Sequence, residues 1–173
     1  MFFISADTLR LHIAYTTWAT SRLLDAAATL TSEELTRDFG SSEKSVAGTL
    51  AHIYAADRVW MGRIQNVNPK LYVNDEDRDL VVLSHAWPAL LKQWKTWAGA
   101  LTDETVHNKV DYTNPKGNPD ITPQWQIVLH VVNHGTHHRG QVSGFLRAMG
   151  KVPPPLDLMA FYRELAQADR PSL

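Results

Sequence analysis

The chain has 173 residues, 44% of them hydrophobic and 20% charged, which is enough apolar mass for one core and a single domain over residues 1–173 and too much for a disordered chain. Its 17 basic and 18 acidic side chains leave a formal net charge of −1, so no cationic excess exists to neutralise phosphates and no nucleic-acid partner is expected. Cysteine is absent, which excludes disulfides, thiolate nucleophiles and Cys-bound zinc, and leaves His, Asp, Glu and water as metal donors.

The N-terminal stretch Met1 to Asp7 lacks the basic and long apolar regions of a signal peptide. No apolar run approaches the roughly 18 residues of a membrane span, so a cytoplasmic protein without membrane contacts is expected. The first 30 residues carry Leu9, Ile13, Thr16, Thr20, Leu23 and Ala27 at helical spacing. Thr31 with Glu34 is a capping-box pattern and predicts a short extra turn. A second helix is predicted from Ser45 to Asn66, with Val46, Leu50, Ile53, Asp57, Trp60 and Ile64 as one stripe. Ala51, Ala55, Ala56 and Val59 cover much of its other side, as in a helix buried among neighbours.

Residues 66–83 read as a polar connection, with the acidic run 75–79 as a solvated loop. A third helix is predicted to begin near Ser84, which would place Pro88 in its tolerant first turn. Trp87, Leu90, Leu91, Trp94, Trp97 and Leu101 then form a core stripe. The segment 106–121 breaks the pattern, and Val110 to Thr113 and Asp120 to Thr122 flank the strong turn signal Asn114 to Asn118, so an irregular β-hairpin is expected. Thr122-Pro123 reads as an N-cap followed by proline at the first helical position. The fourth helix runs to Met149, where Gly150 caps it, and a short last helix covers Leu156 to Ala168. The fold class is therefore all-α, a four-helix bundle with a short β-hairpin excursion before the last main helix.

Eight histidines are present, and four of them, His130, His134, His137 and His138, are clustered. Advancing about 100° per residue, His134 and His138 both fall within about 20° of Ile127, in the middle of the apolar stripe. Residues at i and i+4 carry Cβ atoms roughly 6 Å apart, which lets two imidazoles converge on one cation. Two uncharged core histidines are the plainer alternative, but an adjacent buried pair without a cation carries desolvation and repulsion costs. The zincin pattern is excluded, because no Glu follows His134. A third ligand would come from another helix, with His12, His52, His85 and His107 as candidates; periodicity permits His52 but does not select it. His130 lies too far along the helix axis to share one ion with both others, and His137 falls at the edge of the stripe. Ferritin-like di-metal spacing of Asp and Glu is missing.

Leu50-Ala51-His52-Ile53 and the run His134-x-x-x-His138-Arg139-Gly140-Gln141 resemble the DinB/YfiT-like family. The resemblance extends to Tyr15-Thr16-Thr17-Trp18-Ala19, to Ala56-Asp57-Arg58-Val59-Trp60, to Tyr112 through Gly117 and to Pro123-Gln124-Trp125, and so covers the chain from Leu9 to Gly150. It implies an up-down-down-up four-helix bundle, often a homodimer. It also implies a metal triad of His52, His134 and His138 holding one divalent ion such as zinc or nickel, completed by water. Characterised relatives include enzymes that use low-molecular-weight thiols. The resulting expectation is a metal-dependent hydrolase or thiol S-transferase acting on a small molecule; a non-catalytic metal- or ligand-binding bundle and a purely structural metal are the competing readings. No catalytic residue beyond the ligands is assigned. Tyr15, Trp18, Tyr54 and Trp60 are the candidate lining of a pocket near the metal, and Asp57 is a candidate to orient a ligand or to pair with Arg139.

Overall fold

Short polar side chains open three of the four main helices of the computed structural model, which describes residues 4–70 and 73–168. Helix α1 spans Ala6–Ala27, and Ser5 caps it by accepting from the Thr8 amide. The start of the expected first helix, Met1 to Phe3, lies outside the described residues, as do residues 71–72 of the expected polar connection. The short α2, Ser32–Thr36, has the full capping box read from Thr31 and Glu34. Helix α3, Val46–Ile64, is capped by Ser45. It ends where Asn66 adopts a left-handed φ of 59° and the Val67 amide returns to the Gly62 carbonyl at 2.9 Å.

Helix α4 spans Leu80–Gly99, so it begins before the expected Ser84 and Pro88 sits well inside it. The cause is Asp79, the last member of the acidic run, whose carboxylate accepts from the Val81 amide at 2.8 Å. Pro88 and Ser84 are both exposed, so water can reach the carbonyl that proline leaves without a helical donor. The acidic run is not a fully solvated loop either. It forms a 3₁₀ turn over Asp75–Arg78, and Asp77 is buried, taking two 3.0 Å bonds from Arg58 and one from the Asn74 amide.

The hairpin is regular, with β1, Lys109–Thr113, antiparallel to β2, Pro119–Pro123, and Asp111 opposite Ile121. Helix α5, Gln124–Ala148, leaves β2 directly. Thr122 is therefore a strand residue, paired with Val110 and bonded to the Tyr112 hydroxyl, and not the expected N-cap. The Gln124 amide is satisfied instead by the Asn108 carbonyl at 2.9 Å. Gly150, with φ 75°, closes α5 as read from the sequence. Helix α6, Leu158–Ala168, follows.

The packing is a four-membered ring: α1 lies against α4 and α5, and α3 against the same two helices. Leu9 and Ile13, Leu50 and Ile53, Trp87 and Trp94, and Ile127 and Val128 meet in the core, each no more than 1% exposed. The all-α bundle with a hairpin excursion is thus the observed fold. Among the described residues, no helix is long and apolar enough to cross a membrane.

Candidate metal centre

Helix α3 is buried on two faces because it has two helical neighbours. Its stripe of Val46, Leu50 and Ile53 enters the core. The adjoining face, with His52, Ala56 and Val59, meets α5, where His134 and His138 stand one turn apart. The result brings together all three residues that the family resemblance implied: one ligand atom from each of His52, His134 and His138 lies within 4.8 Å of the others. The ring centroids of His52 are 4.9 Å from His134 and 4.5 Å from His138.

His52 Nε2 and His134 Nε2 are 3.0 Å apart. The Nδ1 of His138 is engaged by Gln141 Oε1 at 2.7 Å, which leaves its Nε2 for the shared space. Three imidazole nitrogens gathered this way cannot all find donors among themselves, so lone pairs face one another. A divalent ion removes that conflict, and tetrahedral zinc with nitrogens about 2.0–2.1 Å away needs about 3.3 Å between them, within the range seen. The three histidines are therefore placed to hold a metal ion. Burial first, then the neighbouring His138 and His52, depress the His134 pKa to about 3, so that ring presents a lone pair at neutral pH. Burial also lowers His138, against the pull of Gln141.

Two supporting residues were missed in the sequence. Gln141 fixes the ring of His138, and its i+3 spacing was a readable signal. Gln141→Ala is expected to weaken metal binding about 10–100-fold without unfolding the chain, measured by competition with a coloured chelator. Unchanged affinity would remove Gln141 from the site. Glu43 Oε1 stands 3.7 Å from His52 Nδ1 and comes from the loop before α3, where no periodicity points to it.

Gly48 makes that loop possible, because a Cβ there would collide with the Glu43 backbone carbonyl. Gly48→Ala should cost about 1–3 kcal/mol and move Glu43 away from His52. Thermal melts and metal titration would both register it. A variant with the wild-type melting temperature would show that the loop yields freely.

The remaining candidates lie elsewhere. His85 is exposed, and His12 bonds the Thr8 carbonyl on α1. His107 sits in a 3₁₀ turn. His130 stacks edge-on against Trp60, and His137 is exposed beside His138. Of the four expected pocket aromatics, Trp60 shares a cavity with a triad residue; that space, about 360 Å³, is also lined by His134. Tyr15 and Trp18 pack on Phe161, and the Trp18 indole donates to Glu164 at 2.7 Å, so both anchor α6. Tyr54 stands against Trp87. Asp57 is in the core, accepting from the Trp87 indole at 2.9 Å, with Arg139 as an electrostatic neighbour.

The family model described as "DinB family" matches residues 5–170. Protein DinB of Bacillus subtilis (strain 168) is 23% identical over 151 residues, covering 83% of this chain and 87% of that protein. The crystal structure of a DinB-like protein from Bacillus cereus ATCC 10987 superposes with a TM-score of 0.62 at 19% identity, covering 89% of this chain and 99% of that one. The match of the family model over nearly the whole length, the helical ring with its hairpin, and the shared fold agree: this chain belongs to the DinB family.

Proposed function

We propose that the chain is a metal-dependent enzyme in which His52, His134 and His138 hold one divalent ion, zinc or nickel, and that it acts on a small molecule as a hydrolase or thiol S-transferase. The observation that carries this reading is the convergence of three imidazoles from two helices within 4.8 Å, with a cavity beside them. When bound, such an ion with open coordination positions supplies acidity, lowering the pKa of a water or thiol so that a nucleophile exists at neutral pH.

The chain's own residues do the rest. Gln141 holds the proton on His138 Nδ1 and thereby the orientation of the ring. Glu43 offers an acceptor to His52 Nδ1. Trp60, Tyr112 and Val59 wall the cavity and limit water around His134. The chain has no cysteine, so a thiol nucleophile has to arrive on a cosubstrate.

The test is elemental mass spectrometry on untagged protein beside His52→Ala. About one divalent ion per chain, lost in the variant, supports a three-histidine site. Equal metal in both proteins overturns the ligand set. Ester hydrolysis or thiol transfer that stops on chelation and returns with zinc or nickel would then establish turnover. A loaded protein inactive in both assays would make it a metal-binding bundle without catalysis.

A further inference from the structure

Arg63 is a buried cation near the end of α3, only 5% exposed. Its guanidinium lies against two rings, 4.4 Å from the Trp60 centroid and 4.3 Å from that of Tyr112, and the rings themselves meet edge to face at 5.2 Å. Its Nη2 donates to the Thr113 carbonyl at 3.3 Å, while its Nε is buried with no hydrogen-bond partner among the described residues. None of the ion pairs among the described residues includes Arg63. The carboxylate that acts on it through space, Asp120, is exposed and already accepts from the Ile121 amide at 2.9 Å.

A guanidinium with a buried donor left unspent is costly unless something completes it. Contact with the Trp60 and Tyr112 rings offsets part of that cost, but a ring supplies no acceptor in the guanidinium plane and leaves the Nε–H unmatched. The guanidinium edge is a planar fork, the shape that pairs with a carboxylate. Arg63 also lines the same cavity of about 360 Å³ as Trp60, Tyr112, His130 and the triad member His134. On its other side it borders a depression lined by Lys70 and Lys116, which adds positive charge to the approach.

We propose that Arg63 binds the carboxylate of an anionic small molecule whose reacting end reaches the three histidines. The inference rests on the metal-dependent reading only for what happens at that reacting end. The substrate class is then a carboxylic acid small enough for the cavity.

The experiment uses chelator-treated protein labelled with ¹⁵N, titrated with glutarate and with its neutral match glutaramide. The signals followed are the Arg63 Nε–H and the Trp60 indole N–H. Glutarate is expected to shift both saturably, and glutaramide to leave them in place. Arg63→Met should weaken glutarate binding at least about tenfold, as loss of charge-assisted bonds does. Asp120→Asn, at an exposed position, should strengthen it several-fold by removing the nearby like charge. No shift with glutarate, or unchanged affinity in Arg63→Met, overturns the proposal. If Arg63→Met loses the hairpin signals, Asp120→Asn decides: affinity equal to wild type overturns it. Zinc added to the same samples separates the two readings. Failure to bind zinc would sink the metal centre while leaving the carboxylate site standing.

Discussion

Zinc or nickel added to metal-free protein is expected to raise its melting temperature by about 5–10 °C when free metal reaches about 100 times its dissociation constant. An ion that binds only the folded state stabilises it by about 2.7 kcal/mol at that concentration. A chain of this length gains about 2–4 °C per kcal/mol. Each of His52→Ala, His134→Ala and His138→Ala should abolish the shift, because two imidazoles make a weak site. His137→Ala and His130→Ala should keep it, since neither residue belongs to the group whose ligand atoms converge. A full shift surviving in His134→Ala would sink the assignment, and a large loss in His137→Ala would mean the wrong face of α5 was chosen.

The same experiment has a pH signature. In metal-free protein, folding holds His134 neutral down to about 3, while the unfolded chain takes up a proton near the ordinary value of 6.5. The depressed pKa therefore costs nothing above pH 6.5 and destabilises the fold increasingly as pH falls from 6.5 towards 3. The lowered His138 acts in the same direction. Melts on either side of pH 6.5 check this. His134→Ala should flatten the acid decline, and an unchanged decline in that variant would remove His134 as its source.

How much of this was readable in the sequence varied with the physics involved. The pair His134 and His138 was legible because both residues are on one helix, where spacing fixes direction. His52 was permitted but not chosen by periodicity, because α3 has two buried faces and a single apolar stripe cannot say which neighbour a residue meets. Only the family resemblance singled it out. The start of α4 was misplaced because Asp79 looks like one more solvated acid until its backbone bond is seen. Thr122 read both as the end of the hairpin's second arm and as a cap, because it stands just before Pro123, and the pairing with Val110 decides for the strand. Glu43 and Arg63 were invisible because no periodicity reaches their partners: their roles depend on a loop carbonyl packed against Gly48 and on a hairpin ring laid against the end of α3.

Asp57→Ala is expected to lower stability by about 3 kcal/mol, a fall in melting temperature of about 6–12 °C. Asp57 is 2% exposed and holds two tryptophans of α4: its carboxylate accepts from the Trp87 indole at 2.9 Å, and its backbone carbonyl accepts from the Trp94 indole at 3.3 Å. Alanine keeps the second bond and loses the first, leaving a buried N–H without an acceptor beside a small void. Burial pushes the Asp57 pKa up to about 7, against the Trp87 hydrogen bond and the Arg139 charge. The unfolded chain ionises near 3.8, so this group's contribution is complete below that pH, declines as pH rises towards 7 and then levels off. Asp57→Asn keeps an oxygen for the Trp87 indole and does not titrate. It should therefore lose less than alanine, and its stability relative to wild type should improve as pH rises from about 5 to about 8. The histidines act in the opposite direction over part of that range, so the difference between variant and wild type carries the sign. A difference that stays constant, or widens with pH, would mean that Asp57 is ionised in the core and held there by Arg139. Equal losses in alanine and asparagine would mean that the Trp87 bond does not anchor α4.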